Sequence, residues 1–196
     1  LKSNFNFYEI LYPQLDHRIS NSIYHHGFKE NANTYDIWGP YKYKFITNSI
    51  GFKDKEKRNI RKKNDQLQRI IIIGDSFTEG IGFKYEDTFV GLLDNNLKNQ
   101  NKQILNAGVA SQSPRIYYEK IKYFIEQKYL FNEIIVFLDI SDIPDEFYYK
   151  NNYDKNKKPI KNTRDKLQIF FLKNSSIYLF FDLVFFKLNN IKEDLK

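Results

Sequence analysis

The chain has 196 residues, the usual size of one domain with its own hydrophobic core, and it contains no cysteine. A disulfide framework, thiolate catalysis and thiolate metal sites are therefore excluded. The net charge is +7, but residues 53–63 and 150–166 each carry seven basic and two acidic side chains, so the rest of the chain is slightly acidic. Basic residues confined to two polar segments indicate solvated loops, and we expect no nucleic-acid partner.

Residues 1–66 predict an irregular N-terminal segment followed by a charged connector. The segment is rich in Tyr and Asn and is only weakly periodic. The chain contains no Met and starts with Leu1, so we expect a processed or excised piece of a longer protein, with any signal or anchor upstream. The sequence contains no run of about 18 uncharged apolar residues, so it predicts no membrane span.

Residues 67–149 predict the core of an α/β domain. The predicted elements are a buried strand at 70–73, a helix at 86–99, a short strand at 104–106, a helix at 114–128 and a third buried strand at 134–138. The helical side chains predicted to face the core are Phe89, Leu92, Leu93, Leu97, Ile121, Phe124 and Ile125. Strands that alternate with helices imply a doubly wound parallel sheet of the flavodoxin-like type, with helices on both faces.

Residues 150–196 predict a polar loop followed by an apolar helical segment. The apolar part, 167–188, is interrupted by Lys173, Asn174 and Asp182. One or two amphipathic helices packed on the sheet fit this pattern. A lid or a helix lying on a membrane surface is the alternative.

Each predicted strand ends in small or polar residues, and the three ends should meet at one edge of the sheet. The ends are Gly74, Asp75 and Ser76, then Asn106, Ala107 and Gly108, then residues 139–142. Ser76 would lie beside a helix N-terminus, whose N–H groups can stabilise an anion, and this placement suits a nucleophilic serine. Asp75 is expected to bind backbone N–H groups at the helix start.

The segment from Gly74 to Gly80 resembles the first sequence block of the SGNH, or GDSL-type, esterase and lipase family. Residues 106–108 resemble its second block, and Ser141 with Asp142 stands where the third block has Asn-Asp; the resemblance covers roughly residues 45–147. It implies that Ser76 is the nucleophile, that the N–H groups of Ser76 and Gly108 form the oxyanion hole, and that Ser141 is a donor in place of Asn. The supporting residues by this resemblance are Gly74, Asp75, Asn106 and Asp142.

The family's general base is the histidine of a C-terminal Asp-x-x-His block, and this chain has no such block. Its histidines, His17, His25 and His26, all precede Ser76. We expect the base to lie beyond residue 196. The alternatives are that His25 or His26 reaches Ser76, or that the protein is a non-catalytic relative. No metal site is expected at the histidine pair, because adjacent histidines point in different directions.

The resemblance therefore implies a hydrolase acting on ester bonds, of the carboxylesterase or deacetylase type, through a serine nucleophile and an acyl-enzyme without a cofactor. The substrate would be an ester-bearing small molecule, glycan or lipid. The alternatives are an O-acyltransferase of the same fold and a non-catalytic carbohydrate- or lipid-binding protein. A phosphate-binding protein ranks last, because no Lys follows Gly80.

Two further expectations concern location and the remaining acidic residues. We favour a location in the cell envelope, or anchorage to a membrane, over the cytoplasm. Contact with a membrane is compatible with both favoured locations. Asp139 and Asp142 are expected to orient a partner or bind substrate. Asp145 and Glu146 are expected to form a solvated helix start.

Overall fold

The computed structural model describes residues 17–38, 41–63 and 66–152. In these ranges the strands are β1 (Arg18–Asn21), β2 (His25–Phe28), β3 (Asn33–Trp38), β4 (Tyr41–Ile46), β5 (Gln68–Ile73), β6 (Lys102–Asn106) and β7 (Glu133–Val136). The helices are α1 (Ser76–Glu79), α2 (Phe89–Leu97), α3 (Pro114–Glu126) and α4 (Asp142–Asn152), and a single 3-10 turn spans Tyr85–Asp87.

The centre of the fold is a three-stranded parallel sheet in the order β6-β5-β7. Ile71 of β5 lies opposite Leu105 of β6 on one side and opposite Ile134 of β7 on the other. β5 is thus the central strand, and β6 and β7, which follow it in the sequence, pair on its opposite sides. A mixed α/β fold with a parallel sheet, as the alternation of strands and helices predicts, is confirmed.

Alternate residues of β5 supply two separate apolar cores, because successive side chains of a strand point to opposite faces. Ile71 and Ile73 pack in a cluster with Ile116 and Phe124 of α3. Ile70 and Ile72 pack in a second cluster with Tyr85 and with Val90, Leu93 and Leu97 of α2. Each fully buried isoleucine contributes roughly 2 kcal/mol. The run of isoleucines at 70–73 is therefore explained by burial on both faces.

The N-terminal segment contains two hairpins, so its description as irregular is wrong for residues 18–46. β1 pairs with β2, and β3 pairs with β4, both antiparallel. Phe28, Tyr43 and Phe45 of these hairpins are buried in a cluster with Val109, which follows β6. The hairpins are therefore stabilised by a distant part of the chain, and isolated strand pairs of this size are marginal without such contacts.

The charged connector at 53–63 is anchored to the core along part of its length, so its description as a solvated loop is wrong there. Lys53 is buried and forms an isolated antiparallel bridge with Asn106. Arg58 donates to Ile104 O of β6 at 3.1 Å and to Asp54 Oδ2 at 2.8 Å. Lys55 Nζ lies 3.0 Å from Asp94 Oδ2 of α2. Charged side chains here join the connector to the sheet and to α2.

Both predicted helices are present, but their buried faces differ from the prediction in part. The prediction is wrong for Phe89 and Leu92 of α2 and for Ile125 of α3, which are exposed. Phe124 is buried, and the remaining predicted side chains pack against the apolar clusters: Leu93, Leu97 and Ile121. The third strand is also present, but the prediction that it is buried is wrong. Ile134, Ile135 and Val136 of β7 are 38–49% exposed, and none of them belongs to the two apolar clusters of the described residues.

The polar loop from residue 153 onwards and the apolar segment at 167–188 lie outside the described residues, as do residues 1–16. Within the described ranges, no helix has both the length and the apolar character needed to cross a membrane.

Candidate active site

Ser76 is the first residue of α1 and follows the end of the central strand β5 after a two-residue turn. Asp75 occupies the N-cap position, and its Oδ1 accepts a hydrogen bond from Phe77 N at 3.0 Å. This confirms the structural role expected of Asp75. Ser76 is half-buried, and its Oγ donates to Asp75 Oδ2 at 3.3 Å. The serine hydroxyl is thus held at the N-terminus of α1.

Two glycines allow α1 to pack directly against the ends of β5 and β6. A Cβ atom at Gly74 would lie 2.2 Å from Thr78 Oγ1, and one at Gly108 would lie 2.5 Å from Glu79 N. Neither distance is compatible with a side chain. The requirement for glycine at these two positions is therefore steric, and it brings the second strand end against α1.

The second strand end is held by the side chain of Asn106. Its Nδ2 donates to Thr78 O at 2.9 Å, and its Oδ1 accepts from Gly108 N at 3.0 Å. The N–H of Gly108 is therefore directed at a carboxamide and not at the hydroxyl of Ser76. It could serve an oxyanion only after Asn106 releases it.

The third strand end meets the first through Ser141. Ser141 Oγ lies 3.1 Å from Asp75 Oδ2 and 2.7 Å from Asp139 Oδ1. Because a hydroxyl has one proton, it donates to one of these carboxylates at a time. The predicted convergence of the three strand ends is confirmed, but Ser141 faces carboxylates in this arrangement.

Asp142 joins the third strand end to α3. It is buried, and it accepts hydrogen bonds from Tyr117 Oη at 2.8 Å and from Asp139 N at 3.1 Å. Burial raises the pKa of Asp142 above its ordinary value. Hydrogen bonds from Ser141 lower the pKa of Asp139. In this arrangement Asp142 orders the turn between β7 and α4.

Glu146 caps a neighbouring helix, so its description as part of a solvated helix start is wrong. Its carboxylate accepts from Ser113 Oγ and Arg115 N, both at 2.8 Å. Ser113 is the N-cap residue of α3, but its side chain makes no capping bond within that helix. Glu146 of α4 supplies an acceptor at this helix start instead.

Among the described residues, none of the three histidines is hydrogen-bonded to the hydroxyl of Ser76. His17 is buried and stacks on Phe45 with 4.2 Å between ring centroids, and its Nε2 lies 3.4 Å from Asp36 Oδ2. Among the described residues, the hydrogen-bond partner of the Ser76 hydroxyl is Asp75. The structure therefore does not pair His17 with Ser76.

His25 and His26 form a coupled pair. Nδ1 of each lies 2.7 Å from Nδ1 of the other, and His26 Nε2 lies 2.8 Å from Ala110 O. Burial lowers the pKa of both histidines, and it lowers that of His26 to about 4. Neutral His26 has one ring proton, and Ala110 O requires it at Nε2, so His26 Nδ1 accepts from His25.

The structure adds an apolar cavity that the sequence did not predict. It has a volume of about 420 Å³, opens beside Ser76 and is lined by Trp38, Phe77, Ile81, Phe83 and Phe89 among others. A second cavity of about 450 Å³ contains His25 and His26 and shares Trp38 and Ile81 with the first. Phe77 and Phe83 follow Ser76 closely in the sequence, but nothing in the sequence places Trp38 near them.

Buried ion pairs support the site from the N-terminal hairpins, and these too were missed. Glu79 of α1 is fully buried, and its Oε2 accepts from Arg18 Nη1 at 3.1 Å and from Ala110 N at 2.7 Å. Arg18 also lies 3.1 Å from Asp36 Oδ2. Burial opposes ionisation of Asp36, but His17 and Arg18 outweigh it and lower its pKa to about 2. Ion pairs of Arg18 thereby connect the N-terminal hairpins to α1.

Lys53 fixes the loop that lines the apolar cavity. Its Nζ donates to Gly80 O at 2.9 Å and to Phe83 O at 2.7 Å. The ammonium group also lies 5.2 Å and 5.3 Å from the ring centroids of Tyr43 and Phe45. Burial lowers the pKa of Lys53 to about 8.

In the described parts of the chain, no group of three or more His, Asp and Glu side chains is arranged to hold a metal ion. A scan against models of known protein families matches none of them, and a search of the curated proteins finds no match for this chain.

Proposed function

We propose that this protein is an ester hydrolase of the doubly wound SGNH type, with Ser76 as its nucleophile. The observation that carries the proposal is the position of Ser76 at the carboxyl end of β5, where β6 and β7 lie on opposite sides of that strand. Ligands of open α/β sheets bind at such a switch point. The adjacent apolar cavity provides a place for substrate beside the hydroxyl.

In this mechanism Ser76 Oγ attacks the ester carbonyl carbon while a base takes the hydroxyl proton. The carbonyl oxygen becomes an oxyanion, which the N–H groups of Ser76 and Gly108 stabilise once Asn106 has turned away from Gly108. The C–O bond to the alcohol then breaks, and the base returns the proton to the leaving alcohol. Water attacks the acyl-enzyme by the same route and releases the acid.

Ser141 would act only after its hydroxyl is reoriented, and the general base would come from outside the 196 residues. Ser141 would donate to the oxyanion only by turning its hydroxyl proton away from the carboxylate of Asp75 or Asp139. The base is the histidine of an Asp-x-x-His block, which the 196 residues do not contain. Losing one oxyanion donor costs about 10²–10³ in rate, so the positions of Asn106 and Ser141 bear on activity.

Hydrolysis of p-nitrophenyl esters by the full-length protein tests the proposal. We expect Ser76→Ala to reduce turnover at least about 10³-fold, because the proposed acyl-enzyme forms on the hydroxyl of Ser76. Ser22→Ala, at an exposed hairpin turn, is the matched control and should leave turnover unchanged. Equal turnover by Ser76→Ala and the unchanged protein would exclude the mechanism.

A non-catalytic binding protein is the second candidate, and one observation favours it. Both groups needed for chemistry are engaged, since the Ser76 hydroxyl faces Asp75 and the Gly108 N–H faces Asn106. This candidate predicts that the full-length protein binds a carbohydrate or lipid with the same affinity before and after Ser76→Ala. It also predicts no hydrolysis of any ester.

A further inference from the structure

Four aromatic side chains around Ser76 are exposed to solvent although large apolar groups are usually buried. The exposed fractions are 60% for Trp38, 71% for Phe77, 57% for Phe83 and 40% for Phe89. They come from β3, α1, the loop after α1 and α2, yet all four line the same cavity. A contiguous exposed apolar patch of this kind marks a binding surface. The volume of about 420 Å³ falls within the range of small-molecule sites.

The cavity offers few hydrogen bonds to a ligand. Its polar side-chain groups are those of Ser76, Asp87 and Thr88 and the indole N–H of Trp38. Thr88 Oγ1 already donates to Tyr85 O and accepts from Gly91 N, at 2.7 and 3.1 Å. Asp87 Oδ1 lies 3.7 Å from Lys84 Nζ. A sugar would leave most of its hydroxyls unpaired here, whereas an alkyl chain loses nothing by burial.

The cavity wall is held by contacts that do not involve a ligand. Lys53 binds the carbonyl oxygens of Gly80 and Phe83, and the Phe89 ring packs on Phe137 with 4.9 Å between centroids. A wall fixed in this way reduces the entropy that binding must overcome. Because Lys53 contacts the backbone carbonyl oxygen of Phe83, the Phe83 side chain can be replaced without removing this contact.

We propose that this cavity binds the aliphatic acyl chain of the ester, so that Ser76 acts on medium-chain acyl groups in preference to acetyl groups. The inference rests on the proposed function. It extends that function by naming the substrate class. The chain would lie against Trp38, Phe77 and Phe83, with its carbonyl carbon at Ser76 Oγ.

The fluorescence of Trp38 gives a direct test, because it is the only tryptophan in the chain. The Ser76→Ala variant of the full-length protein is titrated with sodium alkanoates from butanoate to decanoate. We expect the dissociation constant to fall about fourfold for each added methylene until the cavity is filled. Adding Trp38→Phe should remove the chain-length-dependent part of the signal, which identifies Trp38 as its source.

Two variants locate the chain. Phe83→Ala should weaken decanoate binding about tenfold, because it removes an apolar surface of the cavity. Tyr118→Ala, at an exposed position of α3 outside the cavity, should leave binding unchanged. Equal affinity for butanoate and decanoate, or equal weakening by both variants, would overturn the inference.

Comparison with turnover separates this inference from the proposed function. Ser76-dependent hydrolysis of acetyl esters with no gain from longer chains would overturn the acyl-chain inference and leave the proposed function standing. Chain-length-dependent binding without any Ser76-dependent hydrolysis would support the cavity as a chain site and overturn the proposed hydrolysis.

Discussion

The carboxylate of Asp75 serves the fold with one oxygen and the candidate site with the other. Oδ1 accepts from Phe77 N and starts α1, while Oδ2 lies near the hydroxyls of Ser76 and Ser141. The strand ends of β5 and β7 are thus joined by a hydrogen bond at the point where α1 begins. Removing this side chain should disturb the helix start before it disturbs any other element.

We expect Asp75→Ala to lower the free energy of unfolding by about 1–2 kcal/mol, because α1 loses its N-cap. Asp75→Asn should cost less, since asparagine is also a good N-cap residue. Urea denaturation followed by circular dichroism measures both. Equal losses in the two variants would show that capping is not the main role of Asp75.

At the scale of elements, the start of α3 depends on a residue from α4. Glu146 accepts from Arg115 N in the first turn of α3 and from the N-cap residue Ser113. A carboxylate at a helix N-terminus also interacts favourably with the helix dipole. One side chain therefore couples two helices that follow β6 and β7.

Glu146→Ala should lower the free energy of unfolding by about 1 kcal/mol, because the first turn of α3 loses an acceptor. Glu126→Ala at the exposed C-terminal end of α3 is the control and should change stability by less than about 0.5 kcal/mol. Thermal or urea unfolding measures the change in the free energy of unfolding for both variants. A larger loss for Glu126→Ala would refute the capping role.

The elements that sequence predicts well are those whose burial is continuous along the chain. Residues 70–73 are aliphatic because both faces of β5 are covered, and this is visible locally. The hairpins are different, since Phe28 and Phe45 are buried against Val109, which is far away in the sequence. Strand pairing of that kind depends on tertiary contacts, which periodicity does not reveal.

The candidate site divides in the same way. The position of Ser76 and the capping by Asp75 are local and follow from a glycine turn between a strand and a helix. The apolar cavity is not local, because Trp38 reaches it from β3. Lys53 reads as part of a solvated basic run, but its ammonium group is buried against two carbonyl oxygens and two aromatic rings.

At the scale of the whole molecule, two buried lysines set how stability depends on pH. Lys120 of α3 is buried, donates to Ala107 O at 2.7 Å, and has its pKa lowered by burial to about 7. Lys53 is a second case, with a pKa of about 8. Above pH 7 the folded protein releases protons that the unfolded chain keeps until about pH 10.4. Raising the pH therefore favours folding in this window.

We expect the free energy of unfolding to rise between pH 7 and pH 9. Lys120→Met should reduce the slope by about 1 kcal/mol per pH unit, because it removes one proton of difference between the two states. Lys122→Met, on the exposed side of the same helix, should leave the slope unchanged. Urea denaturation at pH 7, 8 and 9 measures the slope, and a Lys120→Met slope equal to that of the unchanged protein would contradict the assignment.

The proposed mechanism requires the hydroxyl of Ser76 to be a nucleophile. The most direct measurement is the intact mass of the full-length protein after incubation with an alkyl fluorophosphonate, followed by peptide mapping of the adduct. The proposed mechanism predicts one adduct, on Ser76, that disappears in Ser76→Ala and persists in Ser22→Ala. No adduct, or an adduct on another residue that survives Ser76→Ala, would contradict it and favour the non-catalytic binding protein.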